Sequence, residues 1–161
     1  MKEYLVRKRE IYREYAKTYD EDRHLMVGEE ALSGRIGWAL SSLQIGYRLL
    51  DLGCGTGDLL LRASTMLGKD SITYGLDLPS DMLAIAAEKL KGCRVGLVQA
   101  NVIGALPFAN SFLDLITSLN LLQELSPSFF LNVLREAYRV LKPEGWFQRS
   151  YTLYYGYQCG R

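Results

Sequence analysis

Short apolar runs alternate with amphipathic segments along most of this chain. From residue 47 onward, five runs of aliphatic, β-branched and aromatic residues have the length and composition of strands. They predict strands within 47–53, 71–78, 93–100, 112–122 and 145–155. Three intervening segments repeat apolar residues at helical spacing and predict helices at 58–67, 79–91 and 127–141.

The first 46 residues show a different pattern, with two amphipathic segments and no strand-like run. They predict helices over 3–19 and from Glu29 or Glu30 to Leu43, with YDEDRH at 19–24 interrupting the apolar spacing. The later alternation of strand and helix is typical of an α/β, Rossmann-like doubly wound fold, with a mostly parallel sheet and helices on both faces. We expect a single domain: a helical N-terminal cap at 1–46, an α/β core at 47–154 and a tail at 155–161.

Three glycines interrupt the apolar stretch RLLDLGCGTGDLLLR, residues 48–62, at Gly53, Gly55 and Gly57. Glycine accepts a positive φ and, lacking Cβ, lets a ligand approach the backbone closely. In open α/β sheets, ligands bind beyond the carboxyl ends of the strands, where this turn lies. The G-x-G-x-G spacing differs from the G-x-G-x-x-G of dinucleotide sites, and taken alone it fits a plain connecting turn equally well.

Two acids near this turn change the interpretation. Asp51 precedes the glycines and Asp77 ends the next strand, so both fall at the ligand edge of neighbouring strands. A carboxylate at the first position can meet a cationic group, and one at the second can accept both hydroxyls of a ribose. Together they favour a nucleoside-shaped binding site.

Composition and charge limit the partners and the compartment. The chain has 161 residues, with 19 Lys and Arg against 18 Asp and Glu, so we expect no nucleic-acid partner. No apolar stretch approaches the roughly 20 residues of a membrane span, and the N-terminus lacks the apolar core of a signal peptide. Three cysteines, Cys54, Cys93 and Cys159, are an odd number without metal-ligand spacing. They favour free thiols, no bound metal and a cytoplasmic location.

Four stretches in sequence carry a family resemblance: LLDLGCGTG, YGLDLPSDML, VQANVIGALPFANSFLDLITSLNLLQEL and LREAYRVLKPEGWF. In this order and spacing, the chain resembles the class I S-adenosylmethionine-dependent methyltransferases over roughly residues 12–152. Within that class it looks most like the small-molecule branch that includes the quinone-biosynthesis methyltransferases. The resemblance implies S-adenosylmethionine as cofactor and in-line methyl transfer to a small-molecule acceptor.

The resemblance also implies the positions that contact the cofactor. The glycine turn would pass under the methionine and ribose portions, Asp51 would hold the amino end and Asp77 the ribose. Asn101 stands where many members have an Asp that bonds the adenine amino group, so this contact would lack a charge. The Tyr19-Asp20 pair resembles an element that folds over the cofactor, although Tyr19 fits equally well as a residue packing a helix onto the sheet. The full implied set is Tyr19, Asp51, Gly53, Cys54, Gly55, Thr56, Gly57, Asp77, Leu78, Met82, Asn101, Val102, Leu119 and Asn120.

The sequence leaves the catalytic base and the acceptor contacts open. Candidate bases are Tyr19, His24 and Glu124, with Tyr12 and Tyr15 also available, and an oxygen acceptor that ionises itself needs none. Gln123 follows the fourth strand, where substrate-facing residues often lie in this family, but it also fits a solvated helix start.

Two departures from the family pattern keep other interpretations open. The family sheet has seven strands, whereas this chain stops at Arg161, so we expect the hairpin of the sixth and seventh strands to be missing. Its fifth strand would then offer an exposed edge for a homo-oligomer, or for local packing by the group Tyr151, Tyr154, Tyr155 and Tyr157. With Asn101, this keeps a catalytically inactive cofactor-binding module or partner subunit as an alternative. An NAD-dependent dehydrogenase is a further alternative, disfavoured by the glycine spacing.

Overall fold

A computed structural model describes residues 2–67 and 71–150. Its helices are α1 (Lys2–Tyr15), α2 (Tyr19–Val27), α3 (Glu29–Ala39), α4 (Asp58–Met66), α5 (Ser80–Lys89) and α6 (Pro127–Val140). Its strands are β1 (Arg48–Leu52), β2 (Ile72–Asp77), β3 (Val95–Gln99), β4 (Leu113–Leu119) and β5 (Leu141–Ser150). A short 3₁₀ turn at Leu122–Glu124 follows β4.

The five strands form one parallel sheet in the order β3-β2-β1-β4-β5. The chain runs from β1 outward to β3 on one side and continues at β4 on the other side of β1. The strand order therefore reverses between β1 and β4, and the carboxyl ends of these strands border a crevice. This topology confirms the doubly wound, Rossmann-like fold predicted from the sequence.

Helices pack on both faces of the sheet. On one face Leu49 and Leu115 join a buried cluster with residues of α3 and α4. On the other face Leu50 and Ile116 join a cluster with α6 and the loop before β4. Because successive strand residues point to opposite faces, the near-continuous apolar runs of β1 and β4 supply both clusters at once.

Several boundaries differ from the sequence prediction, beginning with helix α1, which ends at Tyr15 rather than at residue 19. Residues 19–27 are helical rather than an interruption, because Asp20, Glu21 and Asp22 occupy a first helical turn, where the helix dipole favours acids. Helix α3 ends at Ala39 rather than Leu43, yet Leu40 remains buried, so burial beyond the helix end accounts for the continued spacing. Strand β5 begins at Leu141, which pairs with Leu113 before the register shifts.

Some predictions concern residues outside those that the structure describes. They are the continuation of the fifth strand over 151–155 and the packing of the tyrosine group near the end of the chain. Within the described ranges, no helix combines the length and apolar character needed to cross a membrane.

Candidate functional site

The glycine turn is held in a left-handed conformation at the carboxyl end of β1. Gly53, Gly55 and Gly57 have φ values of +71°, +53° and +87°. The N–H of Gly53 donates to the carbonyl of Leu76 at 2.8 Å, which ties the turn to β2. A Cβ on Gly53 would lie 2.9 Å from the Cβ of Leu121, so a side chain has no room there. The turn therefore needs glycine for its backbone conformation and for close packing.

Asp77 is fixed by two backbone donors. Its Oδ2 accepts the N–H of Gly55 at 2.7 Å, and its Oδ1 accepts the N–H of Leu78 at 2.7 Å. Burial raises the pKa of Asp77, while these two hydrogen bonds lower it in part. Each oxygen keeps a free lone pair, so the carboxylate is oriented to accept two further donors.

Asp51 is more deeply buried, with 2% of its surface exposed. The Thr117 hydroxyl donates to its Oδ1 at 2.8 Å. Burial raises the pKa of Asp51 to about 7; the hydrogen bond from Thr117 lowers it in part, and the negative charge of Asp77 raises it further. A carboxyl group that titrates near neutral pH is stabilised as the anion when a cation binds beside it.

A central hollow lies between Asp77, the end of β4 and the N-terminal helices. Helix α1 covers it, and the ring of Tyr19 lies over Gly55, 3.7 Å from the position of an added Cβ. Its walls are formed by Tyr4, Leu5, Lys8, Tyr12, Tyr19, Gly53, Gly55, Asp77, Leu78, Pro79, Met82, Asn101, Val102, Ile103, Leu119, Asn120, Leu121, Glu124 and Leu125.

Two further hollows adjoin the central one. The α3 hollow is lined by Tyr19, Arg23, Leu32, Arg35, Ile36, Asp51, Gly53, Cys54, Asp58, Leu59, Leu119 and Asn120. The tyrosine hollow is lined by Tyr12, Tyr15, Tyr19, Arg23, Met26, Asn120, Gln123 and Glu124. Tyr19 and Asn120 line all three, so the hollows meet at this pair. Asn120 has φ +58°, a conformation that residues other than glycine adopt uncommonly and that concentrates at functional sites.

Ion pairs fasten helix α2 beside the glycine turn. We define the α2 latch as Asp20, Arg23, Thr56, Asp58 and Lys89. Lys89 Nζ donates to Asp20 at 2.7 Å and also to Asp58, and Arg23 bridges the same two carboxylates. Although burial raises the pKa of Asp20, hydrogen bonds from Lys89 and Thr56 outweigh this and lower it overall. The latch connects α2 to the N-terminus of α4 and the end of α5.

Most of the residues predicted for the site come together around these hollows, but three lie elsewhere. Thr56 is buried and donates to Asp20 at 2.6 Å, and Gly57 packs against Ala86 of α5. His24 contacts Glu29 at 2.8 Å on the outer side of α2 and lines none of the three hollows.

The other catalytic candidates differ in their surroundings. Tyr19 contacts the edge of the Tyr15 ring, with 5.2 Å between ring centroids. Burial, followed by the charge on Glu124, raises the pKa of Tyr12 above its ordinary value of 10, so this phenol stays protonated near neutral pH. Glu124 forms an ion pair with Lys8 at 2.5 Å. The chain thus brings tyrosine hydroxyls and one paired carboxylate to the tyrosine hollow.

Sequence reasoning named Tyr12 of α1 as a candidate base but missed Tyr4 and Lys8 of the same helix. All three line the central hollow, and the Tyr4 hydroxyl donates to the Glu124 carbonyl at 2.7 Å. Because the three α1 residues are four residues apart, they lie on one face of the helix, and this spacing is the sequence pattern that could have indicated a shared position. No local sequence pattern indicated that Asp58 and Lys89 form an ion pair, because tertiary packing alone brings them together.

This arrangement defines a doubly wound α/β protein with N-terminal helices beside the sheet edge where strand order reverses, the edge at which such folds bind their ligands. Residues 49–145 match the family described as "Methyltransferase domain", and the chain belongs to that family. This finding confirms the class indicated by the four sequence motifs.

Curated relatives and solved structures agree with the family. The chain is 36% identical over 141 residues to the ubiquinone/menaquinone biosynthesis C-methyltransferase UbiE of Edwardsiella ictaluri, covering 84% of this chain and 55% of the relative. The identity and the coverage are the same for UbiE of a Yersinia pestis strain. The chain therefore spans about half the length of these relatives.

Two solved structures superpose on most of the chain. A SAM-dependent methyltransferase from Aquifex aeolicus has a TM-score of 0.64 and 27% identity, covering 81% of this chain and 68% of that one. The [4+2]-cyclase SpnF has a TM-score of 0.63 and 29% identity, covering 71% of this chain and 43% of that one. Because a fold can support different reactions, the reaction has to be argued from the site.

Proposed function

We propose that this chain binds S-adenosylmethionine and directs its methyl group to a small-molecule acceptor. The meeting of three hollows at Tyr19 and Asn120 carries the proposal. A sulfonium bears three substituents, here an adenosyl arm, an amino-acid arm and a methyl group. A sulfur held at the junction would direct these substituents into the central, α3 and tyrosine hollows respectively.

The central hollow suits the adenosyl arm. Asp77 has one free lone pair on each oxygen for the two ribose hydroxyls. Leu78, Met82 and Val102 supply apolar walls for a purine. Asn101 also lines the hollow, with its Oδ1 accepting the N–H of Ile103 at 3.1 Å, so the loop that carries it is fixed by the same side chain.

The α3 hollow suits the amino-acid arm. Asp51 lies in its wall, and the raised pKa of this carboxyl group falls when an ammonium binds beside it. Cys54 lines the same hollow, where burial raises the pKa of its thiol and keeps it protonated. The hollow therefore offers a carboxylate to a cation without offering a competing thiolate nucleophile.

When bound, S-adenosylmethionine supplies a methyl group already activated by the positive sulfur. The protein's contribution is then to position the reactants, which in well-oriented systems supplies on the order of 7–11 kcal/mol. Tyr19 and Asn120 would fix the reacting centre, and the tyrosine hollow would receive the acceptor. Gln123 and Glu124 line that hollow and remain candidates for acceptor contact. Tyr12 stays protonated near neutral pH, and Glu124 is ion-paired with Lys8, so neither residue is placed as a free base. The proposal therefore favours an acceptor that ionises itself.

Calorimetric titration tests the binding part of this proposal. We expect the chain to bind S-adenosylhomocysteine with a stoichiometry of about one and not to bind NAD, because the turn lacks the dinucleotide spacing. Binding of NAD without binding of S-adenosylhomocysteine would instead support the NAD-dependent dehydrogenase alternative.

A second assay separates binding from transfer. Radiolabelled methyl groups from S-adenosylmethionine, offered with a broad panel of small phenols, amines and thiols, should appear on an acceptor. Binding without transfer, together with a stable complex with another protein, would instead support the inactive-module alternative.

A cytoplasmic location and pairing of two copies through the β5 edge stay predictions, which fractionation and light scattering can check.

A further inference from the structure

A further hollow lies at the carboxyl end of β5, outside the three that meet at Tyr19 and Asn120. We call it the β5 hollow. Its volume of about 400 Å³ falls within the roughly 300–1,000 Å³ of small-molecule sites. It is lined by Leu122, Gln123, Leu125, Pro127, Phe130, Arg149 and Ser150. This described lining combines apolar side chains with one cation and no carboxylate, so its charge favours an anionic ligand.

Arg149 presents an exposed guanidinium to the β5 hollow. Its Cζ lies over the ring of Phe130, 5.6 Å from the ring centroid, a contact that leaves the N–H donors available. Among the residues that the structure describes, no carboxylate pairs with Arg149. Lys8 and Arg23 in the neighbouring hollows differ, because both are held in ion pairs. Arg149 is therefore a positioned cation with its donors open to a ligand.

The β5 hollow adjoins the place proposed for the methyl acceptor. Gln123 lines both the β5 hollow and the tyrosine hollow. Its Nε2 donates to the Oδ1 of Asn120 at 3.4 Å, and the N–H of Asn120 donates to the carbonyl of Ser150 at 3.1 Å. Two residues of the β5 hollow are thus bonded to the residue at the junction of the other three. One acceptor can therefore occupy the tyrosine hollow and the β5 hollow together.

We propose that the methyl acceptor is an acid, and that Arg149 binds the carboxylate at its non-reacting end in the β5 hollow. The inference rests on the proposed function and names the class of its acceptor. A guanidinium suits a carboxylate, since its planar donors match carboxylate geometry and the hydrogen bonds are charge-assisted. Arg149 determines specificity in this arrangement and takes no part in the transfer itself. Anchoring the far end of the acceptor restricts how its reacting atom approaches the methyl group.

Matched acids and amides test the proposal on the wild-type chain. The probes are 4-hydroxyphenylacetate and 3-(4-hydroxyphenyl)propanoate, phenols whose carboxylates stand on arms of different length. Each is compared with its primary amide, which has nearly the same shape but no charge. In calorimetry on the chain saturated with S-adenosylhomocysteine, we expect at least one acid to bind about tenfold or more tightly than its amide. Equal affinities within both pairs would overturn the assignment of an acidic acceptor.

Three variants locate the preference for the acid. Arg149→Gln should bind each acid and its amide with equal affinity, whereas Arg149→Lys, which keeps the charge but not the planar donors, should retain part of the preference. Arg135→Gln is the matched control, because Arg135 is also an exposed arginine without a paired carboxylate among the described residues and does not line the β5 hollow. It should keep the full preference. Equal losses in Arg149→Gln and Arg135→Gln would show that the acids respond to overall charge and would contradict the site.

Failure of this inference and failure of the proposed function give different results. A chain that binds S-adenosylhomocysteine but prefers neither acid overturns the Arg149 site and leaves the proposed function intact. A chain that does not bind S-adenosylhomocysteine overturns the proposed function. The acids and amides are then compared on the chain alone, where a preference lost in Arg149→Gln supports the anion site and its absence overturns it.

Discussion

Asp51 and Asp77 lie on neighbouring strands at one edge of the sheet, but their hydrogen-bond partners differ. Asp77 accepts two backbone N–H groups, whereas Asp51 accepts one hydroxyl. Both residues were located from sequence, because a residue at the end of a buried apolar run falls at the sheet edge. Their differing partners could not be predicted, since Thr117 lies 66 residues from Asp51 in the chain.

Replacing Asp77 with Asn should weaken binding of S-adenosylhomocysteine by about 10- to 100-fold. The substitution removes the charge from hydrogen bonds to the ribose, which are worth about 1.5–3 kcal/mol when charge-assisted. Calorimetry measures the loss, and Asp81→Asn on the first turn of α5 is the matched control, since Asp81 lines none of the three hollows. Wild-type affinity in Asp77→Asn would show that this carboxylate does not hold the ligand.

Affinity for S-adenosylhomocysteine should rise with pH between about 5.5 and 7.5 and then level off. The pKa of Asp51 is raised to about 7, chiefly by burial. Below that pH the carboxyl is neutral, and pairing with an ammonium must release a proton, which costs up to about tenfold in affinity per pH unit. Calorimetry at several pH values measures the slope.

The Asp51→Asn variant is the control for that pH profile. Its affinity should be lower and flatter across the same range, because the titrating group is gone; a slope that persists would belong to Asp77, whose pKa is also raised by burial. A wild-type affinity that does not change across this range contradicts the assignment of Asp51 to a cationic partner.

At the scale of elements, the glycine turn and the α2 latch place the cap over the site. The turn was predictable, since its glycines stand between a strand-like run and a helix-like run. Helix α2 was not, because its acids resemble a break in apolar spacing and only the fold shows that they begin a helix. The α1 face of Tyr4, Lys8 and Tyr12 carried a helical signal, but its position over the hollow depends on tertiary packing.

The turn can be tested with a pair of alanine variants. Gly53 and Gly92 both have positive φ, at +71° and +83°, but only a Cβ on Gly53 meets a neighbour within 4 Å. We expect Gly92→Ala to lower the free energy of unfolding by about 1–2 kcal/mol through backbone strain alone. Gly53→Ala should lower it further and also weaken ligand binding. Chemical denaturation measures the free energy of unfolding, and calorimetry measures ligand affinity. If both variants lost the same free energy of unfolding and the same affinity, close packing at Gly53 would have no role in stability or binding.

The latch can be tested with two lysine variants. Lys89 pairs with two carboxylates and is 21% exposed, whereas Lys91 pairs with Glu88 and is 73% exposed. Lys89→Gln should lower the melting temperature by roughly 3–6 °C, because it removes a cation from a partly buried network. Lys91→Gln should change it by less than about 1 °C, as exposed pairs contribute little. Equal shifts would show that the latch stabilises no more than a surface ion pair.

At the scale of the whole molecule, the parallel sheet order brings the ends of β1, β2 and β4 to one crevice. The order was predictable in outline from the alternation of strand and helix, since right-handed crossovers leave few arrangements. The meeting of three hollows at Tyr19 and Asn120 was not, because it depends on where α1 and α2 pack. Asn120 follows β4 with a positive φ that no sequence pattern indicated.

A crystal structure of this chain with bound S-adenosylhomocysteine tests the central claim most directly. The account predicts that the ligand sulfur lies between Tyr19 and Asn120, with the ribose on Asp77 and the amino-acid arm in the α3 hollow beside Asp51. A ligand bound elsewhere, or bound with its sulfur away from this junction, would contradict the account.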